Sequence, residues 1–335
     1  MHVKRAVRRS IGRVAPIAWS LKRKNSLTIL TYHRVLPEDH PDRLVEQPGM
    51  YVSPQTLAMH LRVLEQYFDL IDLREWLERR ENGEALPTRA CSITFDDGWR
   101  DNYQFALPVL KASGVPVTIF LVADFIGSDY EFWPNRLARL LRGRAGQPGH
   151  SNEIERLLAS LGIKLGNVEM PLSLDDVDRI IGACKAVPDD RMNQMLAGLD
   201  QLGPNEGIGH RRHIMDVAEI AEMSSTGRIR FGSHSRRHLR LLKQLPPDKL
   251  HEEIVQSRVV LRRLTGQEID VFCYPNGDYS SEAIRLVRSE YRAAVTTDPG
   301  WNFAETDACL LKRVSLHDDI SSDEQSFLAR VGGLV

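Results

Sequence analysis

The sequence predicts an α/β barrel of parallel strand–helix units, interrupted by one helical insertion. Three observations carry this. From Ser26 onward, short apolar runs of strand length alternate with amphipathic helical stretches, the pattern of parallel βαβ units. About seven or eight such units suit a closed barrel better than an open sheet. One long segment, roughly residues 127–213, has helical and loop-like stretches but no strand signal.

In chain order, the first strand is "LTILTYH", Leu27–His33. The stretch "SPQTLAMHLRVLEQYF" follows as a helix, with Ser53 placed to cap it and Pro54 in its first turn. Further strands are expected at Phe68–Leu73, Cys91–Phe95 ("CSITF") and Pro116–Val122 ("PVTIFLV"). The insertion comes next, on one βα loop, where it is expected to cap the barrel mouth. Beyond it lie strands at Arg228–Ser233, Asp270–Pro275, Arg292–Thr297 and Cys309–Leu316. Among these, "DKLHEEIVQSRVVLRRLTG" carries apolar residues at helical spacing and stops at Gly266. The domain plan is a basic tail over 1–25, then a barrel over 26–335 with the insertion at about 127–213.

Composition narrows the function. A chain of 335 residues, 42% hydrophobic and 27% charged, has the make-up of a soluble globular protein. Its net charge of −1 excludes a generic polyanion binder, and so nucleic acid as a partner. Cys91, Cys184, Cys273 and Cys309 are scattered without a CxxC, as reduced thiols in a cytoplasmic compartment. The N-terminus departs from the average: residues 1–24 hold Lys4, Arg5, Arg8, Arg9, Arg13, Lys22, Arg23 and Lys24 and no acid. Arg13 and Pro16 interrupt its apolar part, so it lacks the core of a secretory signal. Two readings stay open, a disordered tail and a peripheral anchor to anionic lipid. No apolar run reaches transmembrane length.

Working residues of parallel α/β folds collect where strands end. Here His33 ends the first strand, Asp96 and Asp97 follow "CSITF", His234 follows "RIRFGS", and Asn276 follows "DVFCYP". In "HSRRH", His234 and His238 stand at i and i+4, and one helical turn would bring both rings to one face. An aspartate with two histidines gives three ligands and leaves positions open, as a catalytic metal site requires. Asp97 would then be the ligand, with Asp96 free to take a proton from an activated water. The plainer alternatives are two surface histidines in an Arg-rich loop and an acid pair that caps the next helix.

The segments "TFDDG", "HSRRH" and "YPNGDYS", supported by "TYHRV", "VSPQTLAMHLRVLEQYFDLIDL" and "VTTDPGWN", resemble the polysaccharide deacetylase family, also called the NodB-homology or carbohydrate esterase family 4 group. The resemblance implies a distorted (β/α)7-type barrel that removes an N-acetyl or O-acetyl group from a sugar. It implies Asp96 as general base, Asp97, His234 and His238 as ligands of a divalent metal, and the Asn276 N–H as oxyanion donor. Zinc suits that ligand set, as do nickel, cobalt and iron.

Two departures follow. Where the family's third motif carries a base-orienting Arg, this chain has Cys273, and Arg313 in "LKRVSLH" is the candidate substitute. For the family's general-acid histidine, His317 is the candidate late in the chain. Each has a bland alternative as an exposed strand-end residue. His33, Tyr274 and Trp301 are the substrate-binding candidates, Trp99 and Trp133 being further aromatics able to stack on a sugar. The expected function is metal-dependent removal of acetyl from an N-acetylated sugar in a polysaccharide or glycan precursor. Its alternatives are an O-acetyl esterase and a non-catalytic carbohydrate-binding homologue. The expected location is cytoplasmic, with membrane association as one of the two open readings of the basic N-terminus.

Overall fold

The structure is a computed structural model, and it describes residues 25–47, 49–143, 155–156, 158–160, 162, 172–200 and 212–333. The basic stretch of residues 1–24 lies outside the described residues, as do parts of the insertion. The strands are β1 (Ser26–Tyr32), β2 (Arg34–Val35), β3 (Tyr51–Val52), β4 (Asp69–Leu70), β5 (Arg89–Phe95), β6 (Val117–Leu121), β7 (Ile229–Ser233), β8 (Val271–Cys273), β9 (Ala293–Pro299) and β10 (Leu311–Ser315).

Seven of them close a parallel barrel. The order runs β1-β10-β9-β8-β7-β6-β5, and β5 returns to β1 with all seven residues in register, from Ser26↔Arg89 to Tyr32↔Phe95. β4 pairs with the first half of β5 at Ala90 and Cys91, while β6 takes the second half from Ile93 to Phe95. β2 and β3 form a separate pair.

The barrel strands are buried almost throughout, as parallel strands covered on both faces must be. Alternate residues serve two cores. Leu27 and Ile29 of β1 join Phe120, Val271, Val295 and Leu311 in one. Leu30 and Tyr32 join Phe95, Ile119 and the helix residues Leu57 and Leu61 in the other. That is the period-two division a strand enforces. Gly232 is needed for the close packing of β7, since a Cβ there would meet the Phe120 ring at 2.6 Å.

Most expected elements recur with shorter ends. The run Phe68–Leu73 yields only two strand residues because Asp72 caps the next helix, Leu73–Glu81, accepting from the Arg74 and Glu75 N–H groups. Pro275 limits β8 to three residues. Ser53 caps the helix Pro54–Tyr67 by accepting from the Thr56 N–H. The helical stretch from Pro247 passes through a π-helical turn at Glu252–Gln256 and ends at Thr265 before the left-handed Gly266.

The chain divides into two compact units, and the barrel belongs to the first, residues 1–37, 51–128 and 214–335. The second comprises residues 38–50 and 129–213. Its helices Trp133–Gly143, Leu174–Cys184 and Asp189–Asp200 share a core of their own around Leu137, Leu141, Ile181, Met192 and Leu196. Residues 38–50 are tied into this unit by two bonds, Asn135 Nδ2 to Glu46 Oε2 (2.7 Å) and Gln47 Nε2 to Asp178 Oδ1 (3.1 Å). Among the described residues, no helix is long and apolar enough to cross a membrane.

Candidate active site

The site is built at the C-terminal ends of β5, β7, β8 and β10. Asp96 prolongs β5, its N–H donating to the Tyr32 carbonyl at 3.0 Å. The chain then turns sharply, with Asp97 at φ 73° and Gly98 at φ 74°. His234 follows β7, its N–H bonded to the Leu121 carbonyl. Its Nδ1 lies 2.9 Å from the Cys273 carbonyl. A carbonyl only accepts, so Nδ1 carries a proton, and Nε2 is the atom directed at Asp97. That atom lies 3.3 Å from Asp97 Oδ1, and His238 Nε2 lies 3.5 Å from the same oxygen.

The two histidines are not carried on a helical turn. They flank a loop in which Ser235 and His238 take left-handed φ values of 65° and 60°. The loop is held from within by the Ser235 Oγ, which accepts the His238 N–H. From outside it is held by the fully buried Glu253, which accepts the Arg237 N–H (2.8 Å) and Nε (3.2 Å). The imidazole rings meet edge-to-face, centroids 4.7 Å apart. Asp97, Ser235, His238 and Asn276 make four of the five described non-glycine residues with positive φ, so the backbone strain of the fold gathers here.

The Asp97, His234 and His238 donors fit a divalent metal. Bonds of about 2.1 Å in a tetrahedron place neighbouring ligand atoms about 3.4 Å apart, the spacing these oxygen–nitrogen pairs already have. One carboxylate with two imidazoles is also a zinc-type donor set. Burial opposes ionisation of Asp97, but the His234 and His238 contacts outweigh it and hold its carboxyl far below the usual range.

Asp96 is paired differently. Arg313 Nη1 and Nη2 lie 2.8 Å from its Oδ1 and Oδ2 respectively, and the guanidinium also reaches the Thr296 carbonyl (2.7 Å) and Thr94 Oγ1 (3.3 Å). Cys273 Sγ sits beside both, 3.6 Å from Asp96 Oδ2 and 3.2 Å from Arg313 Nη2. Burial alone would raise the Asp96 pKa; the Arg313 charge overcomes it and keeps the carboxyl below its ordinary value. Burial pushes the Cys273 thiol up, so it stays neutral. His33 Nε2 approaches Asp96 Oδ2 at 3.9 Å from the exposed side.

The other expected site residues divide. Asn276 lies exposed in the turn Pro275–Gly277 at φ 55°. The bonds of that turn are made by the Gly277 and Asp278 N–H groups, which leaves the Asn276 N–H outside them. His317 follows β10, its Nδ1 3.2 Å from Asp319 Oδ2. Tyr274 is a correction: its ring is fully buried against Phe272 and Tyr279 and is core, not a substrate surface.

Trp301 is another. The adjacent Asn302 pairs its backbone with Leu27 at the opening end of β1, about 16 Å along the strand from Tyr32, at the opposite end of the barrel from Asp96. Trp99 and Trp133 are not sugar platforms either. The first is buried with its Nε1 donating to Asp97 Oδ2 (2.9 Å), the second in the helical unit donating to Asp189 (3.0 Å).

Comparison with known proteins decides the family. The family model for polysaccharide deacetylase matches residues 83–166 and 206–293, just over half of the chain, and the matched segments hold both acids and both histidines. The chain belongs to the polysaccharide deacetylase family.

Solved structures share the fold of this chain. A Streptococcus pyogenes deacetylase, PplD, in complex with acetate superposes with a TM-score of 0.59 at 17% identity, over 92% of this chain and 99% of that one. IcaB from Ammonifex degensii gives 0.57 at 18% identity, over 92% and 98%. By sequence, YxkH of Bacillus subtilis, a polysaccharide deacetylase by its provisional name, is 23% identical over 240 residues, 71% of this chain and 56% of its own length. A Staphylococcus epidermidis protein named poly-β-1,6-N-acetyl-D-glucosamine N-deacetylase is 32% identical over 113 residues, 31% of this chain and 39% of its own length. The chain thus spans about half, or less, of the length of these two sequence relatives.

Sequence reasoning missed the contact of Trp99 with Asp97 and the grip of Glu253 on the histidine loop. Neither has a local signal, because both depend on how turns stack at the strand ends.

Proposed function

We propose that this chain is a hydrolase that removes the acetyl group from an N-acetylated amino sugar in a polysaccharide or glycan precursor, with a divalent metal, most suitably zinc, held by Asp97, His234 and His238. One observation carries the reading: a carboxylate locked by a bidentate arginine, Asp96, stands beside an Asp-His-His set already at the spacing of tetrahedral ligands. When bound, such a cation supplies Lewis acidity, polarising a carbonyl and making water easier to deprotonate.

The chain's own groups supply the rest. Asp96, ionised at neutral pH, accepts the proton of the attacking water, and Arg313 fixes the angle at which it does so. The Asn276 N–H is the donor for the oxyanion that forms as the carbonyl carbon becomes tetrahedral. His317 is the group that protonates the departing sugar amine, its Nδ1 steadied by Asp319. His33 lines the entrance beside the base.

A relative named for N-deacetylation of an N-acetylglucosamine polymer supports an N-acetyl substrate. The helical unit of residues 38–50 and 129–213 is proposed to shape which glycan is accepted. The basic residues 1–24 are proposed to contact anionic lipid.

The test is acetate release from N-acetylated and O-acetylated glycans, with and without a chelator. Chelator-sensitive release from N-acetylated substrates is expected. Release only from O-acetylated sugars would replace the substrate class, and binding without release from any substrate would reduce the chain to a carbohydrate-binding homologue.

A further inference from the structure

Asp97 has two oxygens in different surroundings. Oδ1 faces the two histidines, while Oδ2 accepts the Trp99 indole N–H at 2.9 Å. Trp99 is 1% exposed, so no water competes for that bond. Behind the indole sits a buried ion pair. The Arg34 guanidinium carbon lies 4.2 Å from the centroid of the Trp99 ring, and Arg34 Nε donates to Asp101 Oδ2 at 2.9 Å. The other Asp101 oxygen accepts the Val35 N–H at 2.8 Å, which pins β2 to the turn that follows Asp97. Asn102 adds a bond from its Nδ2 to the His33 carbonyl at 2.9 Å. Thus "HRV" and "DDGWRDN" are two halves of one assembly whose outermost contact is with Asp97.

We propose that Trp99, backed by the Arg34–Asp101 pair, is a positioning residue that makes Asp97 a one-oxygen metal ligand. A carboxylate free to rotate can offer a cation either oxygen, or both. With Oδ2 engaged by the indole, Oδ1 is the oxygen aimed between the two imidazoles. A cation on the face of the indole draws on its π electrons and strengthens the N–H as a donor. Removal of an outer partner of a metal ligand typically lowers metal affinity by about 10–100-fold. The inference rests on Asp97 being a ligand and adds how that ligand is aimed.

The decisive variant is Trp99→Phe, which keeps an aromatic ring for Arg34 and removes the N–H together with part of the indole ring system. Zinc affinity is measured by competition with a chromophoric chelator, and folding by thermal denaturation of the metal-free protein. We expect a folded Trp99→Phe protein whose zinc dissociation constant rises about 10–100-fold. The paired change Arg34→Met with Asp101→Asn leaves no buried carboxylate unpaired. It should weaken zinc binding in the wild-type background and add little in Trp99→Phe, because its effect passes through the same N–H.

A folded Trp99→Phe protein with wild-type zinc affinity overturns the inference. Equal losses in both backgrounds remove the Arg34 contribution. Wild-type protein that binds no zinc defeats the ligand reading itself, a distinct outcome. A second measurement needs no variant: of the five tryptophan indole N–H resonances, at least one must shift when zinc is added to 15N-tryptophan-labelled protein, and none shifting also overturns it.

Discussion

Arg313 and Asp96 meet as two parallel N–H···O bonds of 2.8 Å each, across strands 217 residues apart in sequence. The pair is buried, and its geometry is the bidentate fork that only arginine offers a carboxylate. The charge of Asp96, puzzling in a run as apolar as "SITF", is matched here from the far end of the chain.

Removing the arginine should damage both stability and chemistry. Arg313→Met leaves a buried carboxylate unpaired, which should lower stability by about 3–5 kcal/mol. The sign in pH is fixed by the shift. In the wild type the Asp96 pKa is depressed, so its contribution is present above the unfolded carboxyl value and disappears as pH falls through the folded one. Without Arg313, burial acts unopposed and raises that pKa. The acid limb of kcat/KM should therefore move to higher pH in Arg313→Met. An unmoved limb in a folded variant would show that Asp96 is not the titrating base.

The two adjacent acids should fail differently. Asp96→Asn keeps shape and metal but cannot accept a proton, so turnover should fall by about 10²–10⁴-fold with bound zinc unchanged. Asp97→Asn, like His238→Ala, removes a ligand, so metal content should fall first and activity with it. Excess zinc should restore part of the activity to the Asp97 and His238 variants and none to Asp96→Asn. If both acid variants retain metal and turnover, the pair is only a helix-capping turn.

His60 gives a pH test away from the site. It is fully buried, stacked on Phe327 with ring centroids 4.0 Å apart, with Nε2 donating to the Ser321 carbonyl (2.7 Å) and Nδ1 accepting from the Tyr32 hydroxyl (3.0 Å). Burial lowers its pKa from 6.5 to about 4. Between those values the unfolded chain holds a proton that the folded chain does not, so stability is full above 6.5 and is lost as pH falls toward 4. That loss should reach about 3 kcal/mol. Urea unfolding at pH 7 and pH 4.5 should show this difference shrinking in His60→Asn, which will be less stable than wild type at pH 7. An identical pH slope in the two proteins would contradict a neutral buried imidazole.

The barrel and the heart of the site were legible in the sequence for one reason. Parallel strands are covered on both faces, so they read as apolar runs, and the polar residue that ends each run marks the same rim. Asp96, Asp97, His234 and Asn276 are all found that way, and Arg313, the candidate that the family resemblance offered, pairs with Asp96. Side-chain direction was not legible. Tyr274 stands next to the rim yet turns into the core, and Trp301 sits in a loop that returns to the other end of the barrel. The i, i+4 spacing of His234 and His238 suggested a helical turn, whereas left-handed residues and Glu253 bring the rings together in a loop. Residues 38–50 gave no sign that they group with helices 89 and 131 residues later, because Glu46 and Gln47 are ordinary polar residues until Asn135 and Asp178 meet them.

The place of Cys273 suggests an exchange that tests the arginine directly. Its thiol lies 3.2 Å from Arg313 Nη2 and 3.6 Å from Asp96 Oδ2, so the side chains at 273 and 313 already share one pocket against Asp96. Arg313→Cys alone should lose turnover and shift its acid limb upward. Combined with Cys273→Arg, it leaves the pocket with one cysteine and one arginine, as before, and returns a guanidinium from β8 instead of β10. If the role is to keep Asp96 ionised and aligned, the exchanged protein should regain part of the lost turnover, and its acid limb should fall back toward the wild-type position. Net charge and composition are the same in the wild type and the exchanged protein, so only the strand that supplies the charge differs. A folded exchange variant as inactive as Arg313→Cys would mean that the guanidinium must come from β10, where the Thr296 carbonyl and Thr94 hydroxyl also hold it.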